Sequence, residues 1–385
     1  SPSSATTTRP APRRCWTCLV MWTRMVTAGV TCQTADRWCW SIRRNLRLSV
    51  GVALLSAFFL IAVFADFIAP YDLSAQTRGE PSAPRSTLRF VHVGNFSFRP
   101  FIYASELSDP LMLRYSENST TPYPLTFFAT GDNYKFLGLF STRVHLFGVE
   151  NSAGDDSPRI RLLGTDAVGR DRFSRLLHAI RFSMIVSPLG ALLACLIGIL
   201  IGIVSGYSTR LIDTVLMGTA DAMLSLPTLI IILAARAAFP LELPPMTAAV
   251  LLVSIFAATG WAEIARLTRS LVTSMREREF VLAAKASGLT QPRILFRHIL
   301  PNISRPLLTQ ATLILPMFLL AEAALSFLGV GLQEPEPSLG NMLAAAGDIT
   351  LLRNSPFEML SPAIAIFIFV LGVRLLSDGL KDKQV

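Results

Sequence analysis

The residues that could perform chemistry in this 385-residue chain are dispersed, and the familiar catalytic spacings are absent. The sequence contains no GxxxxGK(S/T) phosphate loop, no HExxH zinc motif and no GxSxG nucleophile turn, and its four histidines lie far apart. We therefore expect no enzyme activity and no metal or cofactor bound by this chain. It has no recognisable means of hydrolysing ATP.

Cysteines are concentrated near the N-terminus. Cys15 and Cys18 form a Cys-x-x-Cys pair, but six residues separate Cys32 from Cys39 and no histidine lies nearby, which argues against zinc. The surrounding residues are mainly Ser, Thr, Pro and Arg, and the sequence does not begin with methionine. We interpret residues 1–44 as a disordered or misassigned tail. A signal peptide is not expected, because the first long apolar run begins too late.

Two acidic residues, Asp221 and Glu322, lie inside strongly apolar blocks. A charge in such surroundings is costly, so each should face protein, water or an interface. We expect internal polar contacts or a place on a polar pathway, and structural hydrogen bonding is the favoured role. Asp213, Arg236 and Glu263 are expected nearer the ends of their blocks.

The composition indicates a membrane protein. Hydrophobic residues make up 51% of the chain and charged residues 16%, and the apolar residues are gathered in long blocks. A hydrocarbon core about 30 Å thick is crossed by about 20 apolar helical residues. Six blocks approach or exceed that length: Leu48–Ile68, Phe182–Tyr207, Leu211–Ala238, Met246–Ala265, Pro306–Leu328 and Phe357–Leu376.

Basic residues indicate the orientation. Arg43, Arg44 and Arg47 precede the first block, and Lys381 and Lys383 follow the last. Cytoplasmic segments carry an excess of Lys and Arg, and an even number of spans leaves both termini on one side, so both termini are expected in the cytoplasm. The net charge of +9 then reflects membrane topology, and nucleic-acid binding is not expected.

A basic helix-turn-helix is predicted between the fourth and fifth blocks, over residues 276–302. Phe280, Ala283, Ala284 and Ser287 recur at helical spacing, so they share one face. Small side chains on that face allow a partner's backbone to approach closely.

Gly288 is expected to end the first helix of this segment in the left-handed conformation. A second short helix is predicted to begin near Thr290 and to stop at Pro301. Arg293 and Arg297 are four residues apart and share a face of that helix. The segment is either a solvated loop or a docking element for another protein.

A further motif, LGTDAVGRDRFSR, covers residues 163–175. Thr165 or Asp166 is predicted to cap a helix with an apolar stripe on one side and arginines on the other. Such a helix is expected to lie along the outer membrane surface. Its role is either structural, as an entry helix for the second span, or a part in gating. The candidate residues of this motif are Gly164, Thr165, Asp166, Gly169, Arg170, Asp171, Ser174 and Arg175.

A long insertion, residues 73–162, separates the first and second blocks. Short aromatic runs such as LRFVHV and RVHLFGV alternate with Gly, Pro, Asn and Asp, which predicts short strands and turns. We predict a small β-rich domain outside the cytoplasm. It contains no cysteine, so disulfide bonds cannot hold it together.

The 276–302 segment resembles the EAA loop of ABC-importer permeases, the coupling loop that docks onto an ATP-binding subunit. The match rests on Ala283, Ala284, Gly288 and the Ile299–Pro301 ending, whereas Leu282 stands where the family carries its glutamate. Glu279, one turn earlier, is expected to take part of that role. The resemblance assigns the coupling role to Glu279, Phe280, Ala283, Ala284, Gly288, Arg293, Arg297 and Pro301.

The LGTDxxGRDxxSR motif is similar to a signature of the dipeptide, oligopeptide and nickel branch of these permeases. Residues 321–343 and 375–382 also resemble that branch, and the likeness covers about two-thirds of the chain. It implies an all-α polytopic membrane protein with six transmembrane helices, the ABC type I importer permease fold, carrying the β-rich insertion. The first transmembrane helix would occupy residues 45–72, and a core with five more would occupy residues 163–385.

The resemblance also implies partners and a location. These are a homologous permease subunit forming a heterodimer, two ATP-binding subunits that use ATP-Mg, and an extracytoplasmic peptide-binding protein, in the bacterial cytoplasmic (inner) membrane. Di- or oligopeptides are the expected substrates, with nickel or another small solute as the alternative. An ion-coupled secondary transporter is less favoured, because neither inverted repeats nor paired discontinuous helices are evident. A membrane-anchored sensor would leave the basic helix-turn-helix unexplained.

Overall fold

The first long helix begins earlier than the sequence indicates. The computed structural model describes residues 32–73, 75–77, 79–92, 95–109, 113–136, 140–149 and 158–381. Helix α1 spans Cys32–Val63, so residues 32–44, which were expected in a disordered or misassigned tail, are helical, while the apolar window of the helix begins at Leu46. The stretch ahead of the apolar block contains no Pro or Gly to stop the helix once it has formed. The Cys15–Cys18 pair lies outside the described residues.

Within the described part of the chain, five helical segments are long and apolar enough to cross a membrane. They comprise α1, α3 (Arg172–Tyr207), α6 (Pro245–Arg276), α9 (Leu300–Phe327) and α12 (Pro356–Lys381). Two short helices, α10 (Leu339–Ala344) and α11 (Ile349–Asn354), connect the last two.

The block predicted as a third span is a pair of helices. These are α4 (Arg210–Ser225) and α5 (Thr228–Ala237), which meet at 89°. The break falls at Pro227, which lacks the backbone N–H that would continue the helical hydrogen-bond ladder. The block Leu211–Ala238 therefore does not form a single straight helix.

Helices α3 and α6 run parallel and in close contact. A methyl group at Gly198 would lie 2.6 Å from Ile264 Cβ, and one at Gly206 would lie 2.8 Å from Val272 Cγ1, so residue numbers rise together along both helices. Small residues at such positions allow helix backbones to approach closely. Because parallel helices begin at the same end of a bundle, the bent pair α4 and α5 must return the chain across it.

Helices α1 and α12 run antiparallel. Gly51 approaches the backbone of Leu376, and Gly379 approaches Leu48, so residue numbers rise on one helix as they fall on the other. The beginning of α1 and the end of α12 therefore lie together.

Helix α1 is also antiparallel to α3. Leu177 clusters with Ala65, and Arg181, one turn further along α3, donates from Nε to the carbonyl oxygen of Ala62, 2.7 Å away. The beginning of α1 thus lies at the end of the bundle where α3, α6 and α12 end. The loop that follows α6 lies at that same end.

The core of the bundle lies between α3, α6 and α9. The buried rings of Phe256 and Phe318 stack with their centroids 4.7 Å apart, and Ala194 and Leu252 belong to the same cluster. Dense apolar packing of this kind makes the three helices one rigid unit.

The insertion forms a four-stranded antiparallel sheet in the order β1-β2-β3-β4. Its strands are β1 (Arg89–His92), β2 (Asn95–Asp109), β3 (Arg114–Phe136) and β4 (Phe140–Val149). The sheet packs on the short helix α2 (Ala65–Ile68) and on the first turn of α3, where the rings of Phe147 and Phe173 are 6.0 Å apart. The insertion therefore lies at the opposite end of the bundle from the loop after α6.

Candidate functional site

The segment after α6 folds as a helix, a glycine turn and a second helix. Helix α7 spans Glu279–Ala286, and Gly288 follows with a φ of 78°, the left-handed conformation that commonly ends helices. Helix α8 (Gln291–Ile294) begins after Thr290 and passes into one π-helical stretch, Leu295–Ile299.

The second helix does not stop at Pro301, so that prediction is wrong. It runs on as α9 to Phe327, and the whole stretch from Gln291 counts as one span. The π-helical stretch explains the continuation, because the amide of Leu300 donates to the carbonyl of Leu295, five residues earlier. Pro301 then occupies the first turn of α9, where a missing backbone N–H is tolerated.

Buried side chains fix this segment, which we call the coupling loop (residues 277–299), to the bundle. Val281 of α7 is fully buried in a cluster with Ile294, Ile299 and Ile303, and Val272 of α6 belongs to the same cluster. The packing is continuous from α6 through α7 to α9. A displacement of α7 must therefore be felt by both long helices.

The other face of the coupling loop is apolar and exposed. Phe280 and Leu282 of α7 and Phe296 of the second helix are exposed. On the predicted docking face, Phe280, Ala283 and Ser287 are exposed and Ala284 is half-buried, while Glu279 is exposed in the first turn of α7. Exposed apolar side chains gathered on one short element are typical of an interaction surface.

Basic residues border this surface. Arg293 and Arg297 are both exposed, and neither has an ion pair with another described residue. Arg276, at the end of α6, instead turns inward, where its guanidinium lies 4.8 Å from the centroid of the Tyr207 ring and donates to the carbonyl of Gly206. The free arginines thus belong to the outer face, and Arg276 ties α6 to α3.

The opposite end of the bundle contains the LGTDAVGRDRFSR segment as a compact turn before α3. Gly164 and Gly169 have φ values of 68° and 80°. A side chain on Gly169 would collide with the carbonyl of Thr77, and one on Gly164 would lie 2.5 Å from the carbonyl oxygen of Ala83. Both glycines are therefore required by conformation and by space.

The helix cap is Asp171, so the prediction of Thr165 or Asp166 is corrected. The backbone N–H of Ser174 donates to Asp171 Oδ2 at 2.8 Å, and α3 begins at Arg172. Asp166 closes the preceding turn instead, accepting from the N–H groups of Val168 and Arg170 at 3.0 and 2.9 Å.

Thr165 forms hydrogen bonds with the insertion and does not cap the helix. Its hydroxyl donates to the carbonyl of Glu80 and accepts from the N–H of Ala83, each at 2.7 Å. The amphipathic stretch over Phe173–Ile180 is the first part of α3, which continues to Tyr207 without a break. In the part of the chain that the structure describes, this stretch forms the entry to the second span and not a separate surface helix. A role in gating stays a prediction.

Charged residues of the turn bind a loop that follows α9. Arg175 Nη2 lies 2.8 Å from one carboxylate oxygen of Glu334, and Arg170 Nη1 lies 2.8 Å from the other. Arg170 Nε also lies 2.6 Å from Asp166 Oδ2, and Arg175 donates to the carbonyl of Pro335 at 2.9 Å. Two arginines and two carboxylates thus form a network, which we call the signature clamp, that joins the start of α3 to the end of α9.

Burial alters the proton affinity of groups beside the clamp. Desolvation raises the pKa of Asp171 to about 6, although hydrogen bonds from Ser174 oppose the shift. Desolvation also lowers the pKa of Arg161 to about 10, and its guanidinium pairs with Glu80. In the described part of the chain no group of three or more His, Cys, Asp or Glu could hold a metal ion.

The two acidic residues singled out in the apolar blocks have different surroundings. Glu322 is fully buried, and the hydroxyls of Ser183 and Ser326 donate to its two carboxylate oxygens at 2.8 and 3.0 Å. Asp221 of α4 is largely exposed, and its carboxylate pairs with Arg266 of α6 at 3.3 Å. A place for it on a polar pathway stays a prediction.

One charged residue with a structural role, Glu334, was not singled out from the sequence, where it is marked only by its place in a QEPEP run. Arg236 lies in the last turn of α5, near the end of its apolar block as expected, and it is fully buried there. Its guanidinium donates to the carbonyls of Pro240 and Leu241 at 2.9 and 3.1 Å, an arrangement that only the folded loop creates.

Several known proteins are similar to part of this chain. The family model described as binding-protein-dependent transport system inner membrane component matches residues 198–384. A dipeptide transport system permease protein of Alkalihalophilus pseudofirmus is 37% identical over 219 residues, covering 57% of this chain and 69% of the relative. A di/tripeptide transport system permease protein of Pseudomonas aeruginosa is 36% identical over 221 residues, covering 57% and 70%. An inward-facing structure of the MetNI methionine ABC transporter aligns with a TM-score of 0.41 and 17% identity, over 55% of this chain and 94% of that chain.

Proposed function

The chain belongs to the family of binding-protein-dependent transport system inner membrane components, and on this premise we propose that it is a permease subunit of an ATP-driven peptide importer. The family consists of membrane transport components and not of enzymes. The peptide substrate is inferred from the relatives, two of which are named as dipeptide and di/tripeptide permeases. The observation that carries the mechanism is the coupling loop, whose exposed apolar face is backed by the fully buried Val281.

In this proposal the transporter has two ATP-binding subunits, and one of them receives the coupling loop of this chain. The exposed Phe280 and Ala283 would enter a groove of the ATP-binding subunit, and Arg293 and Arg297 would meet acidic residues at its rim. A homologous permease subunit would complete the pathway as a heterodimer. ATP-Mg would bind only to the partner subunits, which would pull the coupling loops together on closing.

The proposed topology follows from the directions of the helices. We take the bent pair α4 and α5 as one membrane crossing. Together with the five long helices this gives six crossings. The coupling loop and both termini then face the cytoplasm, in agreement with the basic residues around them. The signature clamp and the sheet face outward, where we propose that the insertion helps to seat an extracytoplasmic peptide-binding protein.

Crosslinking combined with transport tests the proposal. In a background without native cysteines, Ala283→Cys should crosslink to an ATP-binding subunit in the assembled transporter, whereas Phe98→Cys on β2 should not. Proteoliposomes containing the complete transporter should accumulate a labelled dipeptide only when ATP and the binding protein are supplied. Capture of no ATP-binding subunit at Ala283, or uptake driven by an ion gradient without ATP, would refute it. ATP-driven uptake of nickel with none of peptide would refute the substrate assignment alone.

A further inference from the structure

The β3–β4 hairpin carries phenylalanines that nothing in the described chain covers. Phe128 and Phe140 are 66% and 70% exposed, and Phe140 pairs across the hairpin with Phe136. Large apolar side chains grouped in this way mark a surface that meets a partner or a membrane. We infer that this face of the hairpin lies in the interfacial zone of the bilayer and that its partner is lipid.

The hairpin is placed at the end of a membrane-spanning helix by aromatic contacts. The ring of Phe136 lies 5.7 Å from that of Phe64, the first residue after α1, and the ring of Phe128 lies 6.2 Å from that of Phe67 in α2. The apolar window of α1 ends at Val63. The hairpin phenylalanines therefore lie just beyond the end of that window.

Hydrogen bonds hold the hairpin next to the residues that follow α1. His145 of β4 is buried, and its ring nitrogens lie 2.6 Å from the carbonyl oxygen of Ala69 and 3.0 Å from that of Asp132. The N–H of Asp72 donates to Asp132 Oδ2 at 3.1 Å. Because α1 is fixed by the bilayer, a hairpin held to the residues after it is fixed in depth as well.

The exposed surface of α1 continues into the hairpin. The side chains of Phe59 and Leu60 in α1, and of Phe64 just after it, are apolar and exposed. In a spanning helix such side chains meet the lipid tails. The phenylalanines of the hairpin extend that surface past Val63. Aromatic side chains are enriched at this depth, and Phe is common on the apolar face of elements that lie in the interface.

Another exposed phenylalanine of the sheet provides a matched comparison. Phe98 of β2 is 93% exposed, and the ring contact recorded for it is with Phe96 of the same strand. It belongs to the β1–β2 hairpin, which has no aromatic contact with α1 or α2 among the described residues. Phe98 is thus equally apolar and is not tied to the end of a spanning helix.

Site-directed spin labelling of the full chain tests the inference. Nitroxide labels at Phe128→Cys, Phe140→Cys and Phe98→Cys, in a background without native cysteines, would be compared in vesicles of phosphatidylethanolamine and phosphatidylglycerol. Collisions with oxygen, which concentrates in lipid, and with a water-soluble nickel chelate would be measured for each label. The oxygen-to-nickel ratio should be several-fold higher at positions 128 and 140 than at position 98.

Two outcomes would overturn the inference. Equal ratios at the three positions would place the hairpin in water. Exclusion of both reagents at positions 128 and 140 would mean that protein covers this face. If one of the two substitutions prevents folding, the other supplies the same comparison with position 98. The measurement does not involve ATP or peptide, so its result tests the hairpin inference independently of the proposed transport function.

Discussion

Replacing Val281 by alanine tests whether packing beneath the coupling loop holds α7 to the bundle. Val281 is 0% exposed and lies in the cluster that contains Val272, Ile294 and Ile299. The substitution removes two methyl groups, worth about 0.8 kcal/mol each, and a partly collapsed cavity adds to that loss, so the total is about 2 kcal/mol. The cost falls on the docking of α7, because the substituted residue belongs to that helix.

Hydrogen exchange of the full chain in detergent measures this cost directly. If α7 opens locally, a loss of about 2 kcal/mol makes its amides exchange about 30-fold faster, while amides in the middle of α6 keep their rates. Leu282→Ala is the matched control, since Leu282 is the next residue and is 51% exposed. It should leave exchange in α7 almost unchanged.

Either of two results would refute this reasoning. Unchanged exchange in V281A would mean that the buried cluster does not hold α7. Equal acceleration in V281A and L282A would mean that α7 responds to any loss of side-chain volume, and that burial of Val281 has no special part in docking it.

Three further changes concern the signature end of the bundle and are checked by thermal unfolding in detergent. Gly169→Ala should lower Tm, because a side chain at a φ of 80° is strained and would collide with the nearby backbone, at a cost of about 1–3 kcal/mol in stability. Gly218→Ala is the control, since Gly218 lies in open space on α4, and it should not lower Tm. Burial raises the pKa of Asp171 to about 6, so its contribution to stability falls as the pH rises from about 4 to about 6. Asp171→Asn should be at least as stable at pH 7 and should lose that dependence, while Asp171→Ala should lose about 1 kcal/mol with the helix cap. Glu334→Gln should lower Tm, since it removes the charge that pairs with the buried guanidinium of Arg175, and an unchanged Tm would show that the clamp adds no stability.

The sequence predicted the helices well where composition alone decides the outcome. A run of about 20 apolar residues has few stable forms in a membrane other than a helix, so the blocks around Phe182–Tyr207 and Phe357–Leu376 could be found without tertiary information. Gly288 could be identified for a similar reason, since a glycine after a helical repeat is a local signal. Its φ of 78° depends on its immediate neighbours more than on the rest of the fold.

Prediction failed where a local signal has more than one structural outcome, and where distant residues decide the local structure. Pro301 looked like a stop signal, but a π-helical stretch before it lets the helix continue. Thr165 looked like a helix cap, but its hydroxyl is used by backbone groups more than 80 residues earlier in the insertion. Glu334 could not be identified as a partner of Arg175, because the two are 159 residues apart and meet only when α3 and α9 have packed.

The two ends of the bundle are connected most directly through α6 and α3. The guanidinium of Arg276, at the end of α6, lies 4.8 Å from the ring centroid of Tyr207 and donates to the carbonyl of Gly206, so the end of α6 cannot move without the end of α3. The contacts at Gly198 and Gly206 leave no room for one helix to slide over the other. A pull on α7 should therefore move α3 as a rigid body and reach the signature clamp at its other end. The bent pair α4 and α5 is poorly suited to carry the same movement, because its 89° break can absorb displacement.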